Sequence, residues 1–125
     1  MPNLLAGCRG LVVDDEFLVL MELEWMLGEL GCDSVVTAGT VEKAIALTSL
    51  HKFDFAMLDV NLNGERSYPV ADALIALSIP FVFTTGYTGM IANTIYRDRP
   101  VLDKPYDFNT LVEAMINLVG KHGVV

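Results

Sequence analysis

The chain alternates short apolar runs with longer stretches of helical spacing, five times over. The first run, Leu11-Val12-Val13, is rich in β-branched residues and ends in two acids, Asp14 and Asp15. Over 16–30 the apolar positions recur every three or four residues, which predicts a helix, and Gly31 stands where helices commonly end. Residues 34–38 read as a second strand, after which Thr40 caps a helix predicted to run to about 50, with Glu42 and Lys43 in its first turn. The third strand, Phe55-Ala56-Met57-Leu58, again closes on an acid, Asp59. A loop containing Asn63-Gly64 leads to a third helix, with Pro69 near its start and its end near Leu77. Pro80 opens a fourth strand over 81–84, and Gly86 ends it.

The next segment, 88–95, carries Gly89, Asn93 and Thr94 and is predicted to be the weakest helix. Val101-Leu102 form a brief fifth strand stopped by Lys104-Pro105, and Asp107 caps a last helix predicted to run to about 119. Strands that are apolar at every position, alternating with helices, specify a parallel sheet covered on both faces: a three-layer α/β sandwich.

In an open parallel sheet, ligands bind outside the carboxyl ends of the strands. Here those ends deliver Asp14 and Asp15 from the first strand, Asp59 from the third, Thr85 from the fourth and Lys104 from the fifth. Asp15 taken alone also reads as a helix N-cap. Three converging carboxylates repel one another unless a cation holds them, and an all-oxygen ligand set points to Mg²⁺ rather than zinc. Asp59 closes a central strand without an acidic neighbour, which makes it the candidate nucleophile. A Mg²⁺ ion held by Asp15, Asp59 and a backbone carbonyl near Asn61 would offset the charge of an incoming phosphoryl group, and Lys104 and the Thr85 hydroxyl would bind its remaining oxygens. Phosphoryl transfer needs mainly positioning and charge stabilisation, which such a set supplies without a dedicated base.

Composition narrows the function classes. The 125 residues are the size of one domain, and 53% are hydrophobic, which excludes disorder. No apolar run approaches the roughly 20 residues of a membrane span, and no basic segment precedes the apolar N-terminal residues as in a secretory signal. A net charge of −8 repels phosphate backbones, so nucleic acid is not an expected partner. Cys8 and Cys32 match no metal or redox spacing and read as small apolar residues of a reducing, cytoplasmic setting.

Four segments resemble the signatures of response-regulator receiver domains of the CheY-like superfamily: Leu11 to Glu16, Met57 to Leu62, Phe83 to Tyr87, and Leu102 to Tyr106. Their order and spacing fit across essentially the whole chain, 1–125. The resemblance implies a flavodoxin-like fold with five parallel strands in the order 2-1-3-4-5 and five helices. It implies phosphorylation of Asp59 by the phosphohistidine of a histidine kinase or phosphotransferase, with Mg²⁺ or Mn²⁺ bound by Asp15, Asp59 and the Asn61 carbonyl. By the same resemblance Asp14 acts on the metal through water, Gly86 belongs with Thr85 and Lys104 to the phosphoryl-binding and switch segment, and the Lys104-Pro105 peptide is cis. Such a domain is a phosphoryl-accepting signalling module that assists only its own phosphorylation and dephosphorylation, not an enzyme.

The loop Asn61-Leu62-Asn63-Gly64-Glu65 and the run Pro80 to Tyr87 resemble an alphaproteobacterial subgroup with the signature Pro-Phe-x-Phe-Ala-Thr-Gly-Tyr, often free-standing receivers; Thr84 replaces its alanine. Many receivers carry a switch aromatic three places before the lysine, where this chain has Val101. Tyr87 is the candidate replacement, the alternative being an ordinary loop aromatic. On helix one, Val19, Leu20, Leu23, Met26, Leu27 and Leu30 form the core side, while Leu18, Met21 and Trp25 fall elsewhere beside Glu22. Leu18, Glu22 and Trp25 are the expected docking contacts for the phosphohistidine carrier; packing beneath a local loop is the alternative. Without an output module, the expected free-standing regulator signals through an unidentified protein target or onward phosphotransfer. Two rivals are a pseudo-receiver that only binds, which typically lacks an acid or the lysine present here, and an aspartyl-phosphate phosphohydrolase, which has a second acid where this chain has Asn61.

Overall fold

Strands buried on both faces need apolar residues along most of their length, and three runs of the chain meet that demand. In the computed structural model, which describes residues 3–86, 96 and 99–123, they are β1 (Arg9–Val13), β3 (Phe55–Asp59) and β6 (Phe81–Thr85). Every residue of β3 and β6 is buried, and β1 is buried from Gly10 onward. With β2 (Ser34–Ala38) and β7 (Val101–Asp103) they form one parallel sheet in the order β2-β1-β3-β6-β7. This is the flavodoxin-like topology expected from the sequence.

Successive side chains in a strand point to opposite faces, so each buried strand feeds two cores. Leu11 and Val13 join Val41, Ala44, Val70, Ala71 and Leu74 under α2 (Val41–Leu50) and α3 (Tyr68–Ala76). Val12, Met57 and Val82 join Leu23, Leu27, Leu111 and Met115 under α1 (Phe17–Glu29) and α4 (Phe108–Gly123). Cys8 and Cys32 are free thiols packed at the border of this second core.

The helix boundaries follow the local chemistry. Thr40 accepts a hydrogen bond from the Lys43 N–H at 3.1 Å, capping α2, and Asp107 accepts from Thr110 N–H at 2.8 Å at the start of α4. Core-side residues of α1 are buried or half-buried as their spacing requires. One expectation changes. The loop after the third strand is a β-hairpin, β4 (Asn61–Leu62) against β5 (Glu65–Arg66), because Asn63 and Gly64 both take positive φ, 53° and 88°, the geometry of a two-residue hairpin turn. The weak helix expected over 88–95 lies outside the described residues, as does Tyr87.

Gly10 shows how tightly β1 and β3 are fitted: a β-carbon there would stand 2.3 Å from the Phe55 ring, which is fully buried. Overpacking of a closed core costs about 1–3 kcal/mol. The entropy gained on replacing a strand glycine returns only about 0.5–1 kcal/mol. Gly10→Ala therefore lowers stability by about 1 kcal/mol net at the middle of these ranges. Urea unfolding should show a lower midpoint at unchanged slope; an equal or higher midpoint would show that Phe55 moves aside freely.

Candidate functional site

Parallel pairing brings the carboxyl ends of all the central strands to one edge at nearly one level. Val13 pairs with Leu58, Asp59 with Thr84, and Thr85 with Asp103, so the residues that follow each strand emerge together. There the structure gathers Asp14, Asp15, Asp59, Thr85 and Lys104, which stand up to 90 residues apart in the chain. Asp14 is 1% exposed and Asp59 7%. One oxygen from each of Asp14, Asp15 and Asp59 lies within 4.8 Å of the others.

Backbone groups hold each carboxylate in place. Asp14 accepts from the Glu16 N–H at 2.9 Å and Asp59 from the Asn61 N–H at 3.2 Å. Asp15 accepts from the Asn63 N–H at 3.1 Å, which ties the β4–β5 hairpin to the end of β1. Asp15 is therefore not a helix cap; Glu16 occupies the N-cap of α1 and makes no side-chain capping bond.

Lys104 is the counter-charge. Its ammonium donates to Asp14 at 2.8 Å and to Asp59 at 3.1 Å, and its backbone N–H donates to the Thr85 carbonyl at 2.8 Å. The peptide joining it to Pro105 is cis, as expected. Burial would depress the Lys104 ammonium, but its bond to Asp14 and the charge of Asp59 outweigh that and raise it above its ordinary value. Asp59 behaves oppositely: burial pushes its carboxyl above the usual range, the Asn61 N–H and Lys104 offset this only in part, and Asp14 adds to it. Asp14 and Lys104 thus bond directly here, a contact the sequence did not signal.

Three carboxylates against one ammonium leave a surplus of negative charge around oxygen donors, a set that fits a hard divalent cation. Beside them opens a cavity of about 570 Å³ lined by Asp15, Asp59, Asn61, Thr85, Gly86 and Lys104. Arg66, which the sequence reading left in a loop, lines it too. The Asn63-Gly64 turn was the signal that could have folded it back.

A smaller hollow of about 340 Å³ lies alongside, between Val19 and Glu22 of α1 and Lys104, Pro105 and Tyr106. Burial pushes the Tyr106 hydroxyl up to about 12. Leu18, Glu22 and Trp25 are all exposed on α1, Leu18 at 76% and Trp25 at 64%, so no described loop covers them. Val101, half-buried, packs on the first core, where Tyr96 stacks on Tyr68 at 4.6 Å and its hydroxyl donates to Asp72.

Residues 11–116 match the response regulator receiver domain family. Among solved structures, SdrG from Sphingomonas melonis Fr1 is 43% identical, with 90% of this chain and 96% of that chain aligned at a TM-score of 0.79. The BeF3-activated conformation of SdrG from Pseudomonas melonis Fr1 aligns with the same identity of 43% and TM-score of 0.79, over 91% and 98% of the two chains. The PhyR receiver domain of Erythrobacter litoralis is 25% identical, with 92% of each chain aligned at a TM-score of 0.81. The transcriptional regulatory protein PdtaR of Mycobacterium tuberculosis is 31% identical over 86% of this chain. The chain spans about half the length of this curated relative, 54%.

The raised carboxyl of Asp59 makes a thermodynamic prediction. A folded-state value above the unfolded one means that ionised Asp59 costs stability; the cost is absent below the unfolded carboxylate range near about 4 and complete above the folded value. In a chelator, Asp59→Asn should therefore unfold at a higher urea concentration than wild type at pH 7, with the gap closing as pH falls toward that range. A lower midpoint for the variant at pH 7 would mean that the Lys104 bond outweighs burial.

Proposed function

The chain belongs to the response regulator receiver domains of two-component systems, and on that footing we propose that it accepts a phosphoryl group from a phosphohistidine onto Asp59 with the help of Mg²⁺ or Mn²⁺. The observation that carries this reading is the convergence of Asp14, Asp15 and Asp59 around the Lys104 ammonium at the mouth of one cavity. In the proposed step a carboxylate oxygen of Asp59 attacks phosphorus. A phosphorus–oxygen bond forms, the phosphorus–nitrogen bond to the donor imidazole breaks, and the imidazole leaves with the electron pair. Lys104, already beside Asp59 at 3.1 Å, takes one transferred oxygen, and the Thr85 hydroxyl, on the cavity wall next to Gly86, takes another.

Asp15, Asp59 and the Asn61 backbone carbonyl would hold the cation, with Asp14 reaching it through water. The bound cation supplies charge neutralisation on the phosphoryl oxygens. Backbone N–H groups orient the carboxylates in advance, so little reorganisation opposes the transfer. The whole chain, 1–125, acts as one receiver in the cytoplasm, as a stoichiometric acceptor rather than an enzyme, and signals by binding another protein or by passing the phosphoryl group on. None of the described helices is long and apolar enough to cross a membrane, and a net charge of −8 disfavours nucleic acid as a partner. Tyr87, next to the Thr85-Gly86 turn, is kept as the switch aromatic in place of Val101. The donor, a histidine kinase or phosphotransferase, docks on Leu18, Glu22 and Trp25, because this exposed apolar stripe borders the hollow that Lys104 shares with α1.

One assay tests acceptance and docking together. Incubation with Mg²⁺ and acetyl phosphate should add one labile phosphoryl group to wild type, seen by intact mass, and none to Asp59→Asn. Trp25→Ala should take up acetyl phosphate normally but accept the group from its phosphohistidine donor about tenfold more slowly, the loss of one aromatic anchor. Modification that survives Asp59→Asn removes the acceptor assignment, and equal loss in both assays for Trp25→Ala removes the docking face.

A further inference from the structure

The hairpin after the acceptor strand carries a cation with no role so far. Arg66 stands directly across from Asn61 in antiparallel register, and Glu65 across from Leu62. Cross-strand partners project to the same face of a hairpin. Leu62 is 3% exposed and anchors its face in the first core, so Asn61 and Arg66 share the opposite, uncovered face. Both line the cavity that contains Asp59, Thr85 and Lys104.

The hairpin is held there from three sides. Asn63 N–H donates to Asp15 at 3.1 Å, Ser67 N–H donates to the Val60 carbonyl at 2.9 Å, and Leu62 is buried. Lys104 is committed to Asp14 and Asp59, whereas Arg66 makes no ion pair with any described residue. A planar guanidinium on a cavity wall, unneutralised by any carboxylate among the described residues, suits a tetrahedral oxyanion.

We propose that Arg66 is a second phosphoryl-binding residue of this site, donating to a non-bridging oxygen of the group carried by Asp59. The proposal rests on Asp59 being the acceptor. Before transfer the same charge faces the carboxylates that hold the cation and weakens their hold on it. Arg66 therefore acts in opposite directions on the two ligands: it tightens the anion and loosens the metal. A residue that merely shaped the hairpin would move both affinities the same way.

Calorimetric titration separates these effects, with Mg²⁺ alone as the first probe and beryllofluoride at saturating Mg²⁺ as the second. Arg66→Ala should bind beryllofluoride about tenfold more weakly, the loss of one charge-assisted hydrogen bond, and Mg²⁺ slightly more tightly. Arg66→Lys should keep the wild-type Mg²⁺ affinity and recover only part of the anion affinity. Unchanged beryllofluoride affinity in Arg66→Ala, or both affinities falling together, overturns the role of Arg66 while leaving Asp59 as acceptor. Wild type that binds Mg²⁺ but no beryllofluoride overturns both.

Discussion

The ammonium of Lys104, 2.8 Å from Asp14 and 3.1 Å from Asp59, is what lets three carboxylates share one sheet edge. Two of those acids are almost wholly buried, and an uncompensated buried charge costs several kcal/mol (roughly 3–5 when a partner is removed). The lysine does not neutralise the site: three carboxylates gather beside its one charge, and burial, with Asp14 adding to it, still holds the Asp59 carboxyl above its ordinary range. The residual strain on the site is electrostatic and negative. Such a surplus of charge around oxygen donors suits a divalent cation.

The rest of the fold serves that arrangement. A parallel sheet sends every strand in one direction, so the residues following β1, β3, β6 and β7 meet although they are scattered along the chain. The strands that carry the carboxylates are deeply buried, so the acids project from rigid supports and need not be ordered when a ligand arrives. Two cores, one under each helical layer, fix the sheet from both sides. The hairpin tied to Asp15 adds the only wall of the cavity, among the described residues, that is built on a separate small sheet.

Much of this was legible in the sequence because complete burial leaves a simple mark. Phe55 to Leu58 and Phe81 to Phe83 admit no solvent-facing position, so the change to Asp59, or to Thr84-Thr85 before Gly86, marks a strand end. The cap at Thr40 and the core side of α1 were readable for equally local reasons. The β4–β5 hairpin was not read, since strands of two residues have no periodicity and only the Asn63-Gly64 turn betrays them. Arg66 was missed with it. The Asp14–Lys104 bond spans 90 residues and depends on register at both ends of the sheet, which no local pattern encodes. The stacking of Tyr96 on Tyr68 is likewise a product of packing between distant segments.

The central claim is that the Lys104-bridged acids form a site that takes a cation first and a phosphoryl group second. Backbone amide NMR during a Mg²⁺ titration, followed by beryllofluoride, tests it most directly. Saturable shifts should appear first at Asp14, Asp15, Asp59 and Asn61, and beryllofluoride should then move Thr85 and Lys104 only when Mg²⁺ is present. Shifts that never saturate, or beryllofluoride binding that does not need the cation, would contradict the account.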